Sequence, residues 1–301
     1  MNKNVFITGG TGQDGQILTI LLKKKRVNLN ILYKGKEPKR QKGVNYIKED
    51  LSNKKKIGFL FKKIKPDVIL HLAANNPSYN EKNYKIFFKE NFSATKNIFY
   101  ATFEANNKAK FVFCSSSQIF QKKRGIVNER SKTLSKTDYT RFRIKSDLMM
   151  LKFKRKEKIN YTNAILFNHD SIFRNKKFLL PRIISALIKR DTVFLNDIIK
   201  ANIFSDFSHA EDICRGLCKI MFGIKNFDRL ILSSGKSTSI NNIIKHIVKK
   251  NKLKLDINLN QPVNKKTLVG SNKFANKKLG WFPKKNIYIA ANEIYRFTVN
   301  K

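Results

Sequence analysis

Residues 5–15 read Val-Phe-Ile-Thr-Gly-Gly-Thr-Gly-Gln-Asp-Gly, and an apolar run with helical spacing follows in residues 17–22. This order predicts a buried strand, a glycine-rich turn and a helix that begins directly after the turn. Such a turn directs backbone N–H groups and the positive end of the helix toward one point, which suits a pyrophosphate. A turn without a ligand is the alternative, but its place after the first strand favours a dinucleotide site.

The three regularly spaced glycines of this turn are expected to have separate roles. Gly9 permits the tight turn, Gly12 lets a diphosphate approach the backbone, and Gly15 lets the helix lie close against the strand. The spacing Gly-x-x-Gly-x-x-Gly differs from the commoner Gly-x-Gly-x-x-Gly. The assignment therefore depends on the position at the start of a strand–helix unit.

Strand and helix patterns alternate through the first half of the chain. The predicted strands are residues 5–8, 29–33, 46–48, 68–73, 110–114 and 162–167. The predicted helices run to about residue 25, near 54–63, across 92–104 and from about 139 to 154. Two of these strands are almost entirely apolar, which is typical of buried parallel strands. We therefore predict an α/β fold with a Rossmann-type, doubly wound parallel sheet covered on both faces.

From residue 181 the pattern becomes irregular, which indicates a smaller, mixed α/β C-terminal lobe. We predict that residues 1–167 form the dinucleotide-binding domain, which also receives part of 200–235. Residues 168–301 then form mainly a substrate-binding lobe. With 301 residues, 41% of them hydrophobic, the chain is long enough to bury one large core and a smaller one.

The chain is strongly basic, since 63 Lys and Arg against 21 Asp and Glu give a formal net charge of +42. Lysines occur in almost every segment, which favours a solvated basic surface over a specific nucleic-acid site, with nucleic-acid binding as the alternative. No window is apolar enough to span a bilayer, and no signal-peptide pattern precedes the first strand. We expect a cytoplasmic protein with neither a specific nucleic-acid partner nor a membrane partner.

The cysteines indicate neither a disulfide framework nor a metal site. Cys114, Cys214 and Cys218 cannot all pair, and they lack companions at metal-ligand spacing. We interpret them as reduced core thiols and predict no metal.

Basic residues follow the second strand, where NAD-binding proteins usually place a carboxylate. Here Lys34 directly follows the strand, and no carboxylate occurs before Glu37. Lys34 suits a 2′-phosphate instead, as do the nearby Lys36, Lys39 and Arg40. We therefore favour NADP as the cofactor, with NAD as the alternative.

Tyr139 opens a predicted helix, and Arg143 lies one turn later on the same face. With Ser115-Ser116-Ser117 at the end of a buried strand, they nearly reproduce the Ser–Tyr–Lys arrangement of nicotinamide-dependent enzymes. In that arrangement the phenol exchanges a proton with a substrate hydroxyl while the nicotinamide takes hydride. Because phenol has a pKa of about 10, a fixed cation must lie nearby.

Further segments complete a family pattern over nearly the whole chain. They are residues 7–15 with their Gly-Gln-Asp-Gly, Asp50-Leu51, residues 71–74 and 115–120, Asn128-Glu129, Tyr139, residues 165–171 with Arg174, and residues 277–281. With these segments the chain resembles the extended short-chain dehydrogenase/reductases that modify nucleotide sugars and, within them, the GDP-mannose 4,6-dehydratase family.

The resemblance implies an NAD(P)-dependent nucleotide-sugar dehydratase or epimerase, of lyase or isomerase type, that acts by transient oxidation at C4. It also implies a nucleoside diphosphate sugar, GDP-linked, as substrate and a homo-oligomer as the assembly. The implied cofactor-binding residues are Gly9, Gly12, Gln13, Asp14 and Gly15 at the diphosphate, Lys34 at the 2′-phosphate, Asp50 and Leu51 at the adenine, Ala73, Ala74 and Asn75 at the nicotinamide, and Arg143, His169 and Arg174 around the rest of the pocket.

The same resemblance implies the catalytic roles. Ser116 would hydrogen-bond the sugar hydroxyl that is oxidised, Tyr139 would be its acid/base, and Arg143 would give electrostatic support. Asn168 would face the nucleotide sugar. The segment with Asp206, His209 and Asp212 resembles the family's helix start, so we interpret these three residues as structural caps and not as a metal cluster.

Two positions depart from the family pattern. Gln118 stands where the dehydratases have the glutamate that removes the C5 proton, and an amide cannot accept that proton. Arg143 stands where the family has lysine, and its guanidinium supplies charge and donors but does not release a proton. The alternatives are therefore an epimerase or 4-ketoreductase, or a catalytically weak relative that binds the cofactor.

Overall fold

The computed structural model describes residues 2–74, 84–259 and 265–300. The strands are β1 (Lys3–Thr8), β2 (Val27–Tyr33), β3 (Val44–Lys48), β4 (Val68–His71), β5 (Lys110–Ser116), β6 (Gly125–Val127), β7 (Asn160–Leu166), β8 (Asn168–Asp170), β9 (Phe204–Ser205), β10 (Phe207–His209), β11 (Arg229–Leu232), β12 (Thr238–Ser239) and β13 (Leu268–Gly270). The helices are α1 (Gln13–Leu22), α2 (Lys54–Ile64), α3 (Tyr84–Ala105), α4 (Asp138–Glu157), α5 (Leu179–Lys189), α6 (Thr192–Lys200), α7 (Ala210–Phe222), α8 (Ile240–Lys250), α9 (Lys273–Leu279) and α10 (Ile287–Val299).

One seven-stranded sheet organises the fold, with the strand order β11-β7-β5-β4-β1-β2-β3. Strand β1 is parallel to β2 and to β4, with Val5 opposite Leu29 on one side and Val68 on the other. Pairs β2–β3 and β4–β5 are parallel as well. The chain leaves β1 in one direction and later continues from β4 in the other, which creates a switch point where open sheets bind ligands. The predicted doubly wound α/β sheet is confirmed.

The chain divides into two compact units. The first comprises Met1–Gln121, Lys132–Ile165 and Cys214–Leu230. Its core is rich in phenylalanine: the Phe99 ring meets Phe103, Phe111 and Phe153 edge-on, with centroids 5.1 to 5.4 Å apart. Edge-to-face contacts of this kind add stability beyond the burial of the rings themselves.

The second unit comprises Lys122–Ser131, Leu166–Ile213 and Ile231–Lys301. Its core is built on isoleucines of helices α5 and α8, all fully buried: Ile183, Ile184, Ile243, Ile244 and Ile247. Sequence analysis divides the chain at residues 167 and 168, whereas residues 122–131 belong to the second unit. The reason is strand β6, which pairs in parallel with β13 and sets Gly125 opposite Leu268.

Several predicted boundaries differ from the structure by two residues or more. Helix α3 begins at Tyr84 and not at 92, and α1 ends at Leu22 and not near 25. Strand β4 ends at His71 and not at 73, because the N–H of Ala73 donates to the Thr8 hydroxyl at 3.2 Å and so leaves the ladder. In the described ranges, no helix combines the length with the hydropathy that a bilayer crossing requires.

Candidate functional site

The glycine-rich turn joins β1 to α1 in the first unit. Gly9 has φ +69°, and its carbonyl accepts the N–H of Gly12 at 3.0 Å. A Cβ on Gly9 would lie 2.9 Å from the Ala73 backbone, so this position excludes other residues. Gly12 is the N-cap of α1 and offers no side-chain oxygen to its first turn. The positive end of α1 is therefore open to an anion.

Two further glycines make the turn compact. A Cβ on Gly15 would lie 2.3 Å from the Gly10 Cα, and a Cβ on Gly10 would lie 2.3 Å from Ile31 of β2. Gly15 thus packs against the turn itself, and Gly10 packs the turn against the neighbouring strand. No role is predicted for Gly10 from the sequence. The signal that could have indicated one is the pair of adjacent glycines, Gly9 and Gly10.

A cavity of about 450 Å³ opens beside this turn. Its described lining includes six of the predicted cofactor residues: Gly9, Lys34, Asp50, Leu51, Ala73 and Ala74. Glu49, Glu90 and Asn91 also line it, and sequence analysis missed all three. Glu90 and Asn91 lie on the first turns of α3, ahead of the predicted start of that helix. The predicted residue Asn75 lies outside the described residues.

Lys34 and Asp50 form an ion pair in this cavity. The Lys34 Nζ lies 2.8 Å from Asp50 Oδ2, and the two side chains are 75% and 44% exposed. Asp50 Oδ1 accepts the backbone N–H of Ser52 at 2.9 Å and its hydroxyl at 2.8 Å. The Lys34 ammonium and these Ser52 donors hold the pKa of Asp50 at about 2, and the bond to Asp50 raises the pKa of Lys34.

A buried polar chain supports the cavity wall, and sequence analysis assigns it no role. The His71 Nδ1 lies 2.7 Å from the Thr8 hydroxyl, and its Nε2 lies 2.9 Å from the Thr95 hydroxyl. Burial lowers the pKa of His71 to about 3, and the charge of Arg143 adds to the effect, so the ring is neutral. The Thr8 hydroxyl also accepts the Ala73 N–H and so fixes the backbone that lines the cavity.

Ser116 and Gln118 lie where β5 runs into a short 3₁₀ turn, Ser117–Ile119. The Ser116 Oγ accepts the Gln118 backbone N–H at 3.3 Å, which leaves the hydroxyl proton of Ser116 available to a ligand. The Gln118 side chain is exposed. Ser115, by contrast, is buried, and its hydroxyl has no partner within the described chain.

Tyr139 and Arg143 lie on the first turns of α4, which Thr137 and Thr140 cap reciprocally. Tyr139 is half-buried, whereas Arg143 is 5% exposed. The Arg143 guanidinium carbon lies 5.1 Å from the Tyr139 ring centroid and 4.9 Å from that of Phe142. The guanidinium also donates to the Cys114 backbone carbonyl. A buried cation is therefore fixed beside the Tyr139 ring.

Gln13 and Asp14 open α1 in the first unit, directly after the glycine turn, and the other predicted residues belong to the second unit. Asn168 is exposed and donates to the Ser205 hydroxyl at 2.6 Å. His169 is buried, and its Nδ1–H donates to the Phe167 carbonyl at 2.6 Å. Arg174 pairs with Asp170 at 3.2 Å and lies 3.6 Å from the Phe178 ring centroid. Within this unit, Asn168 and His169 are held by β8, which pairs with β10.

The three residues predicted to be structural caps near α7, Asp206, His209 and Asp212, have different roles in the structure. The His209 Nδ1 accepts the Glu211 N–H at the start of the helix, so His209 is a cap. Asp206 is instead a buried carboxylate that accepts the N–H groups of Ser234, Gly235 and Gly270. Burial raises its pKa against these donors. Asp212 accepts the backbone N–H groups of residues 284 and 285. Across the part of the chain that is described, His, Cys, Asp and Glu form no cluster suited to a metal.

The sheet order and the glycine turn after β1 define a protein with a Rossmann-type α/β fold. A family model described as GDP-mannose 4,6 dehydratase matches residues 6–293. The chain therefore belongs to the GDP-mannose 4,6-dehydratase family, as its sequence motifs predict.

Individual relatives are distant. GDP-mannose 4,6-dehydratase sdnI from Sordaria araneosa is 21% identical over 318 residues, which cover 94% of this chain and 58% of the relative. The chain thus spans less than two thirds of that curated relative. UDP-glucuronic acid 4-epimerase from Bacillus cereus, in complex with UDP-glucuronic acid and NAD, matches with a TM-score of 0.82 and 17% identity over 99% of both chains. RMD from Pseudomonas aeruginosa, complexed with NADPH, matches with a TM-score of 0.81 and 17% identity over the full length of both.

Proposed function

We propose that this protein uses NADP to oxidise, transiently, C4 of a nucleoside diphosphate sugar, GDP-linked as the family implies. The observation that carries the proposal lies in the first unit. There, a glycine turn and a cavity suited to a dinucleotide occur together with Tyr139, whose ring lies beside a fixed guanidinium. The cytoplasmic location and the homo-oligomer expected from the sequence remain predictions.

The residues of the cavity fit a dinucleotide. Gly9 leaves no room for a side chain against Ala73, and Gly12 leaves the first turn of α1 without a side-chain cap. Both features bring backbone N–H groups close to a diphosphate. Lys34 would meet the 2′-phosphate of NADP, which is the finer part of the proposal, and NAD is the alternative.

The bound nicotinamide would accept the hydride from C4 and later return it, and the protein would manage the proton. Ser116 has its hydroxyl proton available, so it orients the C4 oxygen of the sugar by donating to it. Tyr139 takes the hydroxyl proton of C4 during oxidation and returns it during reduction. Arg143, whose guanidinium carbon lies 5.1 Å from the Tyr139 ring centroid, offsets the negative charge of the phenolate, and its bond to the Cys114 carbonyl keeps it in place.

The identity of the product depends on position 118. A 4,6-dehydration needs a base that removes the C5 proton, and Gln118 offers only an amide. Oxidation and reduction at C4 need no such base. A 4-epimerase or a 4-ketoreductase is therefore the second candidate, favoured specifically by Gln118.

The test is stopped-flow absorbance at 340 nm after the NADP-loaded protein is mixed with a panel of nucleoside diphosphate sugars. We expect a transient rise with one sugar, since C4 oxidation must reduce the cofactor. In Tyr139→Phe, which keeps the ring but not the hydroxyl, the rise should fall at least about 100-fold while cofactor affinity stays within about threefold. An undiminished rise in that variant would remove Tyr139 from the mechanism. Cofactor binding without a rise for any sugar would support the catalytically weak relative.

A second variant tests the two departures from the family. Gln118→Glu with Arg143→Lys restores the base and the amine, so we expect dehydratase turnover of GDP-mannose to increase. Product analysis by mass spectrometry measures the loss of water. If the double variant binds cofactor but still leaves GDP-mannose intact, the substrate assignment is wrong.

A further inference from the structure

The cofactor cavity has a local charge opposite to that of the chain. Over the whole sequence, cationic residues outnumber acidic ones by 63 to 21. Among the described residues that line the cavity, however, Lys34 is the single cation and Glu49, Asp50 and Glu90 are acidic. The basic composition of the chain does not account for three acidic residues in one cavity. We therefore ask what these residues contribute to ligand binding.

Asp50 is the anchored partner of its ion pair with Lys34. The Ser52 N–H and hydroxyl fix one oxygen of the carboxylate, and Lys34 approaches the other at 2.8 Å. The Lys34 side chain is 75% exposed and carries no comparable anchor in the contacts described here. Glu90 acts on the same ammonium, since its charge also raises the pKa of Lys34. The position of the ammonium is thus set by carboxylates.

A 2′-phosphate and a 2′-hydroxyl would meet this arrangement differently. The phosphate carries close to two negative charges, so it must replace Asp50 as the partner of Lys34 while the carboxylates remain nearby. A free 2′-hydroxyl brings no charge and can donate to a carboxylate, as it does to the acidic residue of many NAD sites. The ion pair therefore disfavours the phosphate without opposing the hydroxyl.

We propose that Asp50 is a specificity-determining residue that restrains the NADP preference provided by Lys34, so that NAD is accepted as well. The inference rests on the proposed cofactor site. In this arrangement Lys34 selects NADP fully only when residue 50 is neutral. Because the pair is exposed, we expect the effect to be about five- to tenfold in relative affinity.

The test is the ratio of dissociation constants, Kd(NAD) over Kd(NADP), measured by isothermal titration calorimetry at constant ionic strength. Contacts to the adenine are common to both cofactors, so the ratio removes them. We expect Asp50→Asn to raise the ratio about five- to tenfold, and Asp50→Ser, which also shortens the side chain, to act in the same direction. In a Lys34→Met background, Asp50→Asn should raise the ratio clearly less, because most of the effect acts through Lys34 and only the direct repulsion between Asp50 and the phosphate remains.

Glu157→Gln is the matched control. Glu157 pairs with Lys156 at 3.2 Å at the end of α4, and it is absent from the described lining of the cavity. The substitution makes the same change in charge, so we expect the ratio to stay within about twofold. An unchanged or lowered ratio in both Asp50 variants would overturn the inference, as would an equal increase in the Lys34→Met background. If the wild-type protein binds neither cofactor, the proposed function fails first and the inference with it.

Discussion

Two helical glycines of the first unit, Gly15 and Gly58, differ in the space around them, so alanine substitutions at these two positions form a matched pair. A Cβ at Gly15 would lie 2.3 Å from the Gly10 backbone, whereas a Cβ at Gly58, inside α2, would have no atom within 4 Å beyond its chain neighbours and the backbone of its own helix. We expect Gly15→Ala to destabilise the fold by about 2 kcal/mol or more and to weaken cofactor binding. Gly58→Ala should stabilise it by about 0.5–1 kcal/mol, because alanine has less freedom to lose in a helix.

Chemical denaturation followed by circular dichroism measures both free energies of unfolding. Comparison of the two variants distinguishes the loss of a specific backbone contact at Gly15 from a general effect of an added methyl group. Equal stability of the Gly15→Ala variant and the wild-type protein would mean that α1 does not pack on the turn as described.

Single residues of the site are partly predictable from the sequence. The glycines and the Tyr139–Arg143 pair follow from local spacing, because a turn and a helix place neighbours in sequence side by side. The ion pair of Lys34 with Asp50 cannot be predicted from local spacing, because it depends on the pairing of β2 with β3. That register sets Tyr33 opposite Lys48 and so brings the next residues of both strands together. The role of Lys34 in cofactor choice stays a prediction.

At the scale of elements, the contact between β1 and β4 contains a group that titrates. His71 bridges Thr8 and Thr95, and burial lowers its pKa from 6.5 to about 3. The folded-state pKa lies below the unfolded one, so between these values only the unfolded chain binds the proton. Stability should therefore fall as the pH drops from about 6.5 toward 3, by about 1.4 kcal/mol per pH unit from this residue.

Urea unfolding of the wild-type protein and of His71→Gln between pH 4 and pH 7 measures this contribution. We expect the variant to be less stable at pH 7, because it loses hydrogen bonds, but to lose less stability on acidification. His246→Gln is the comparison, since His246 is half-buried and should change the slope less. Parallel pH profiles for wild type and His71→Gln would show that another group carries the acid sensitivity.

Boundaries of elements are predicted less well than their existence, and α3 shows why. The polar run Lys89-Glu90-Asn91 interrupts the apolar pattern, so the sequence predicts a start at 92. In the structure the helix continues through this run, and the rings of Phe88 and Phe92, one turn apart, stack at 5.8 Å. The polar residues lie on the turns that border the cavity, which is a tertiary reason for their presence.

For the whole molecule, the class of fold follows from the alternation of strands and helices, but the composition of the two units does not. Residues 122–131 join the second unit through the pairing of β6 with β13, which lie more than a hundred residues apart in sequence. Strands of three residues are too short to show a periodicity. Such long-range pairs are therefore decided by tertiary packing, which a single sequence does not display.

The net charge of +42 is also a property of the whole chain, and it predicts a stability that depends on salt. Like charges repel in the compact state, and raising NaCl from 0.1 to 1 M shortens the screening length from about 10 Å to about 3 Å. We expect Tm, measured by calorimetry, to rise by about 3–6 °C over this range. The double variant Lys54→Glu, Lys55→Glu places two acidic residues in the first turn of α2. The helix dipole is positive at this end, and the wild-type protein has no acidic residue in this turn. The Tm of the double variant should be higher at 0.1 M and should gain less from salt, whereas a wild-type Tm that falls with NaCl would show that attractive ion pairs outweigh the repulsion.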